Sequence, residues 1–191
     1  MEPVDTRRAD LAARAYASVL GWPLVVGYRH RPRQGCTCGD PTCPTPGAHP
    51  APGPLRYPGP TEFARQLEDA PGAALIAPTV YFDALIVSKR IGMSLMVELD
   101  HIAPVPCLFD GGRAVLLLLP ATGRYALSPR MPAEVRSGPD QWIALPPSHG
   151  VHWDTHPWVD RTTSPVELLH GRDVSWHLDY AYKCELEEAR K

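Results

Sequence analysis

The chain has 191 residues and a formal net charge of −2, and 44% of its residues are hydrophobic. This length allows one domain with a buried core, and the near-neutral charge argues against a globally basic nucleic-acid binder. No apolar run approaches the ~18 residues of a bilayer span, and the N-terminus lacks the apolar core of a signal peptide. We therefore expect a cytoplasmic protein with no membrane partner.

The N-terminal part of the chain alternates apolar segments with long loops. Proline makes up 23 of the 191 residues of the whole chain, roughly 12% against a usual ~5%. This excess indicates ordered loops between the apolar segments. Apolar spacing and turn residues predict the following elements: a helix over 5–20 capped by Asp5 and ended by Gly21, a strand over 22–28, an extended segment over 50–60, and a short helix near Thr61 with Phe63, Ala64 and Leu67 facing inward.

The remainder of the chain predicts strands in runs, with helices between and after them. The predicted elements are paired strands over 73–77 and 83–87, a helix over 91–99, strands over 105–109, 114–119 and 142–145, a helix beginning at the capping box Ser164-Pro165-Val166-Glu167, and a last amphipathic helix with Trp176, Tyr180 and Cys184 that frays over 185–191. This order predicts an α+β fold with the 114–119 strand central in its sheet.

One short segment, residues 35–50, concentrates metal-ligating side chains. Cys36, Cys38, Cys43 and His49 follow the spacing C-x-C-x4-C-x5-H. Thiolates and an imidazole are the ligands of a structural Zn²⁺ site, and the intervening glycines and prolines allow the backbone to fold around one ion. A disulfide between two of the three cysteines is the alternative. The other cysteines, Cys107 and Cys184, are predicted to be buried thiols.

Three landmarks in this order resemble a known family. They are an N-terminal helix followed by Gly21-Trp22-Pro23, the cysteine–histidine segment that runs on to Pro50, and Trp142-Ile143-Ala144-Leu145-Pro146-Pro147-Ser148. Together they resemble the N-terminal prim-pol domain of bifunctional DNA primase/polymerases, in the archaeo-eukaryotic primase superfamily, with the proline richness of an actinobacterial member. The resemblance covers about residues 9–158. It implies one domain over 1–191, with a mixed sheet flanked by helices, a zinc loop near the N-terminus and a helical extension over 164–191.

The resemblance also implies a catalytic site, whose residues are replaced in this chain. The family uses carboxylates that hold two Mg²⁺ or Mn²⁺ ions for template-directed nucleotidyl transfer. The two acidic positions of its first motif fall on Ile86 and Ser88, and the histidine of its second motif falls on Ala114. The chain is therefore interpreted as a degenerate, non-catalytic member that acts by binding.

The binding partner implied is a nucleic acid or nucleotide held in the old cleft, or another protein. Candidate nucleotide- or anion-binding residues are Arg113, Arg136, Ser148, His149 and His152. Trp153 and Trp158 are candidate stacking platforms for a base.

Two enzymatic alternatives remain. The first is an active primase/polymerase with relocated carboxylates, for which the candidates are Asp83, Asp110 and Glu134 with Mg²⁺ or Mn²⁺. The second is a metal-dependent small-molecule enzyme that uses the stretch from His149 to His156, with His152 and Asp154 as further ligands. The plainer interpretation of this stretch is a surface hairpin whose tryptophans cover the sheet.

Overall fold

Strands and helices are interspersed along the whole chain, as the sequence predicts, and the α+β class is confirmed. The computed structural model describes residues 6–129, 131–159 and 164–188. Its elements are α1 (Ala9–Ser18), β1 (Val25–Arg31), β2 (Gly35–Cys36), α2 (Pro60–Asp69), β3 (Ala73–Ser88), α3 (Lys89–Leu99), β4 (Cys107–Asp110), β5 (Arg113–Leu118), a 3-10 turn (Gly123–Ala126), β6 (Glu134–Leu145), β7 (Val151–Thr155), β8 (Trp158–Val159), β9 (Ser164–Pro165) and α4 (Gly171–Glu188).

The chain forms two compact units. The described parts of the first unit are residues 6–78, 139–152, 159 and 164–165, and those of the second are 79–129, 131–138, 153–158 and 166–188. The prediction of one domain over 1–191 stays a prediction. Among the helices described, none combines the length and the apolar character that crossing a bilayer requires.

The first unit is built on an antiparallel arrangement of β2, β1 and the N-terminal part of β3. Strand β1 pairs with β3 in the register Val25↔Ile76 and with β2 in the register His30↔Cys36. Helix α1 buries Tyr16 completely, and the Tyr16 hydroxyl donates a 2.9 Å hydrogen bond to the Pro146 carbonyl. The pairing of β2 with β1 places the first cysteine of the loop at the edge of this sheet.

The second unit places β5 between β3 and β4. Both pairings are antiparallel, with Ile86↔Val115 on one side and Phe109↔Ala114 on the other. The 114–119 run is therefore a central strand, as its continuous aliphatic sequence predicts. Helices α3 and α4 bury one face each against the core of this unit, α4 through Val174, Leu178 and Ala181. The resemblance predicted a mixed sheet, which contains parallel as well as antiparallel pairs. The four strand pairings whose register is described are all antiparallel.

Two predicted boundaries are wrong for local reasons. The paired strands over 73–77 and 83–87 are one 16-residue strand, β3, because the connecting Pro-Thr-Val-Tyr-Phe segment is rich in β-branched and aromatic residues that favour extended backbone. Ser164-Pro165-Val166-Glu167 does not start a helix: Ser164–Pro165 is strand β9, which pairs with β8, and the following helix α4 begins at Gly171.

Predicted helix faces are also corrected. Helix α2 buries none of its residues fully, and Ala64, predicted to face inward, is exposed. On α4, Trp176 and Tyr180 are 65% and 45% exposed. Cys107 is buried as predicted, whereas Cys184 is only partly buried. At the chain ends, the predicted cap Asp5 and residues 189–191 of the predicted tail lie outside the described residues, and α1 ends at Ser18 rather than at residue 20.

The packing of α3 on β5 predicts that replacing a helix glycine by alanine lowers the stability of the protein, although the same substitution normally stabilises a helix. Ala is normally favoured over Gly inside a helix by ~0.5–1 kcal/mol. A Cβ at Gly92, however, would lie 2.1 Å from the Ala114 Cβ. Because overpacking costs ~1–3 kcal/mol, we expect Gly92→Ala to lower the free energy of unfolding by ~1–2 kcal/mol in urea titrations. Gly112→Ala is the matched control, since nothing lies within 4 Å of its added Cβ. A more stable Gly92→Ala protein would contradict this packing.

Candidate metal centre

The loop over residues 35–50 folds back on β1 and so brings its cysteines together. The Thr37 amide donates to the Arg29 carbonyl at 3.0 Å, and the Arg29 amide donates to the Thr37 hydroxyl at 3.1 Å. Gly47 has a φ of 70°, and a Cβ there would lie 2.4 Å from the His30 amide nitrogen. Only glycine tolerates both the left-handed backbone and this close approach.

The four predicted ligand atoms converge on one point. Each of Cys36, Cys38, Cys43 and His49 offers one ligand atom, and all four atoms lie within 4.8 Å of one another. The His49 Nε2 lies 3.3 Å from the Sγ of Cys36 and 3.3 Å from the Sγ of Cys43. Ligands of a tetrahedral Zn²⁺ stand roughly 3.7 Å apart, since Zn–S and Zn–N bonds are ~2.3 and ~2.0 Å long. The cluster can therefore hold a metal ion such as zinc.

The imidazole of His49 is held with its Nε2 toward the thiols. Its Nδ1 lies 3.0 Å from the Pro50 carbonyl oxygen, which favours the tautomer that leaves Nε2 free to bind a metal. The Tyr28 amide donates to the His49 carbonyl at 2.9 Å, and the two rings lie 4.9 Å apart between centroids. Strand β1 therefore fixes the position of the ligand that lies farthest along the loop.

Two of the loop thiols, Cys36 and Cys43, differ in how readily they ionise. Burial opposes ionisation of Cys36, but hydrogen bonds from the backbone of Cys38 and Gly47 and from the Cys38 and His49 side chains lower its pKa to about 6. Burial, together with the neighbouring Cys38 and Cys36 side chains, raises the pKa of Cys43 to about 11. The Cys36 thiolate is thus available near neutral pH, and a bound cation would have to displace the proton from Cys43.

The alternative of a disulfide within the loop is wrong for this structure. All five cysteines of the chain lie in the described residues, and all five are free thiols. The cysteine–histidine cluster is also the one group of three or more His, Cys, Asp or Glu side chains in the described parts of the chain whose ligand atoms come close enough to share a metal.

Asp83, the first candidate for a relocated catalytic carboxylate, is buried and accepts three structural hydrogen bonds. One of its oxygens accepts from the Ala121 amide at 3.1 Å and from the Ser137 hydroxyl at 2.6 Å. The other accepts from the Gly123 amide at 2.7 Å. This carboxylate therefore fixes the backbone from Ala121 to Gly123, where the 3-10 turn begins.

The other two candidate carboxylates are each paired with a candidate arginine. Asp110 and Arg113 form an ion pair across the tip of the β4–β5 hairpin, and Glu134 accepts from Arg136 at 2.6 Å on β6. The three carboxylates do not join a metal-binding group among the described residues. Both arginines therefore already have a carboxylate partner.

The three positions where the resemblance predicted replaced catalytic residues, Ile86, Ser88 and Ala114, have structural roles. Ile86 and Ala114 are buried in the second unit. The Ser88 hydroxyl caps α3 by accepting from the Ile91 amide at 3.3 Å.

The predicted anion-binding residues of the first unit, Ser148, His149 and His152, differ from one another in burial and in contacts. Ser148 is buried, accepts from the Leu75 amide at 3.0 Å and donates to the Leu145 carbonyl at 2.6 Å. His149 stacks on His30 with centroids 3.9 Å apart, and burial followed by the charge of His30 lowers its pKa. His152 is exposed on β7. Ser148 thus acts as a backbone clamp, which its Pro-Pro-Ser context did not indicate.

The histidine-rich stretch does not form a second metal cluster within the described residues. Trp153 and Trp158 are buried, and the His156 ring lies between them with centroids 6.3 and 5.5 Å away. This agrees with the interpretation in which the tryptophans cover the sheet. Buried indoles of this kind are not open platforms for a base.

A cavity of about 740 Å³ lies in the first unit between α1 and α2. Its walls include Trp22 and Phe63, and its charged residues are Asp10, Arg14 and Glu68. None of the predicted anion-binding residues lines it. Comparison of the chain with protein-family models, curated proteins and solved structures finds no match.

The contacts of Asp83 generate a stability prediction. Removal of the carboxylate in Asp83→Ala leaves the buried Gly123 amide without an acceptor, at ~1–3 kcal/mol, and also removes the part-buried hydrogen bonds from the Ala121 amide and the Ser137 hydroxyl, at ~0.5–1.5 kcal/mol each. We expect a loss of at least ~2 kcal/mol in the free energy of unfolding, measured by urea titration. Asp110→Ala is the control, because it removes only a partly exposed ion pair and should cost less than ~1 kcal/mol. Equal effects of the two substitutions would contradict the structural role of Asp83.

Proposed function

We propose that this chain is a non-catalytic relative of the prim-pol domain, stabilised by a structural zinc ion and acting by binding. The observation that carries the proposal is the convergence of Cys36, Cys38, Cys43 and His49 in the loop that the family resemblance also highlights. The α+β architecture is compatible with the proposal. Cytoplasmic location forms part of it, since thiols stay reduced there.

Zinc is favoured by the chemistry of the donor set. Three thiols and one imidazole suit a tetrahedral, borderline-soft cation, whereas Mg²⁺ and Ca²⁺ take oxygen ligands. Four protein ligands complete a tetrahedral shell and leave no position for a reactive water. The proposed role of the ion is therefore to hold the loop on β1, and its affinity contributes directly to folding stability.

The proposed lack of catalysis is supported by the engagement of the acidic side chains. Two-metal phosphoryl transfer needs carboxylates that converge on the cations and remain open to them. Asp83 accepts three internal hydrogen bonds, while Asp110 and Glu134 are paired with arginines. Mg²⁺ or Mn²⁺ would enter only if the chain were catalytic. We propose a nucleic acid, a nucleotide or a protein as the bound partner.

The metal content tests the zinc part of the proposal. Purified protein is expected to carry about one zinc per chain by plasma mass spectrometry. Cys43→Ser should lose the metal and unfold at a lower temperature, because a hydroxyl is a poor zinc ligand. Cys184→Ser serves as the matched control, since this partly buried cysteine lies outside the cluster and its variant should keep the metal. A fully folded protein without metal, or metal loss in both variants, would count against the site.

Primer extension tests the absence of catalysis. With a primed template, nucleoside triphosphates and either Mg²⁺ or Mn²⁺, we expect no product from the natural chain. A triple variant with Asp83, Asp110 and Glu134 changed to Ala should behave identically. Incorporation by the natural chain that disappears in the triple variant would overturn the proposal and establish the relocated-carboxylate enzyme, provided that the variant's folding is verified by circular dichroism.

A further inference from the structure

Helix α4 exposes a pair of stacked aromatic rings on the side away from its buried face. Trp176 and Tyr180 are 65% and 45% exposed, and their rings stack at 5.8 Å with planes only 10° apart. Large aromatic side chains are usually buried because their apolar area is costly to leave in water. Two parallel rings left in solvent indicate a surface suited to a planar ligand.

A second stack lies at the N-terminal end of the same helix. The Tyr125 ring, 38% exposed, stacks on His170 at 5.6 Å and 16°. The Arg124 and Arg172 guanidinium groups lie 4.8 and 5.1 Å from the Tyr125 ring centroid. No carboxylate in the described parts of the chain lies within 4.0 Å of either guanidinium. Both cations can therefore meet an anionic ligand.

The two stacks are joined along one face of the helix. Arg172, Trp176 and Tyr180 are four residues apart, and Lys183 follows three residues later, so their side chains share a face. From Arg172 to Lys183 the helix rises roughly 16 Å. We name Arg124, Tyr125, Arg172, Trp176, Tyr180 and Lys183 the α4 track. Asp179 lies on the same face between Trp176 and Lys183, and Glu187 follows one turn beyond Lys183, so the basic character is concentrated at the Arg124 and Arg172 end.

The basic end of the track is held rigidly. Asp83 accepts from the amides of the turn that leads into Arg124 and Tyr125. The Gly171 amide donates to the Thr122 hydroxyl at 3.0 Å, and a Cβ at Gly171 would lie 2.1 Å from the Thr122 carbonyl oxygen. These contacts lock the turn to the first residue of α4. A preorganised surface loses less conformational entropy when it binds a ligand.

The chemistry of the track matches alternating bases and phosphates. Single-strand binding surfaces combine cations that follow the backbone with aromatic rings on which bases stack. The track contains both kinds of side chain in a line along α4. Aromatic residues and arginines are also enriched at protein interfaces, so it is this linear order of cations and rings that favours a strand. We propose that the α4 track binds a short single-stranded nucleic acid, with bases on Trp176 and Tyr180 and phosphates at Arg124, Arg172 and Lys183. The proposal rests on the binding role proposed above, and none of these six residues belongs to the family motifs compared above.

Fluorescence anisotropy with the full-length protein tests the track. The probes are a fluorescein-labelled DNA strand of about 12 nucleotides and the same sequence as a duplex, each at about 50 and 200 mM salt. We expect the single strand to bind more tightly than the duplex, because its bases are free to stack. Trp176→Ala should weaken single-strand binding by roughly tenfold, and Trp176→Phe should retain most of it. The double variant Arg124→Ala/Arg172→Ala should weaken binding and reduce its salt dependence.

The controls are an exposed aromatic residue and an arginine elsewhere in the chain. Tyr81, 52% exposed on β3, and Arg14 on α1 should be replaceable by Ala without a change in affinity. Absence of single-strand binding, preference for the duplex, or equal losses in track and control variants would overturn the proposal. These readouts involve neither zinc content nor primer extension, so failure of the track is distinguishable from failure of the proposed function.

Discussion

The contact between His49 and strand β1 is the interaction on which the metal centre depends. Its carbonyl accepts from the Tyr28 amide, its Nδ1 faces the Pro50 carbonyl, and its Nε2 lies 3.3 Å from two thiols. One residue therefore connects the sheet of the first unit to a loop with almost no regular secondary structure. Within this cluster the burial of Cys36 is outweighed by hydrogen bonds, which lower its pKa to about 6, and the pKa of Cys43 is raised to about 11 by burial and its thiol neighbours. A tetrahedral cation would take both as thiolates.

In the second unit, polar side chains stabilise backbone turns. Asp83 holds the turn before Arg124, and the Ser88 hydroxyl caps α3. Such hydrogen bonds satisfy backbone amides that would otherwise be buried without an acceptor. A carboxylate so engaged would have to give up these bonds to bind a metal, so structural use and catalytic use compete at this position.

The sequence predicted best those features that depend on local spacing. The grouping of Cys36, Cys38, Cys43 and His49, the helix over 91–99 and the central strand over 114–119 follow from residue type and periodicity alone. The structure brings these four side chains together and confirms the helix and the strand. The helix predicted from Ser164 failed because a capping box is only a local signal. There, pairing of Ser164–Pro165 with β8 prevails, and Gly171 starts the helix because it packs against Thr122. The exposed position of Trp176 could not be predicted from the sequence either, because the elements that pack against α4 determine which of its faces is buried.

X-ray absorption at the zinc edge of the purified protein tests the central claim most directly, because it reports the donor atoms around the ion. The account predicts three sulfur neighbours at ~2.3 Å and one nitrogen neighbour at ~2.0 Å, with no oxygen in the first shell. A spectrum dominated by oxygen neighbours, or purified and folded protein with no zinc edge, would contradict it.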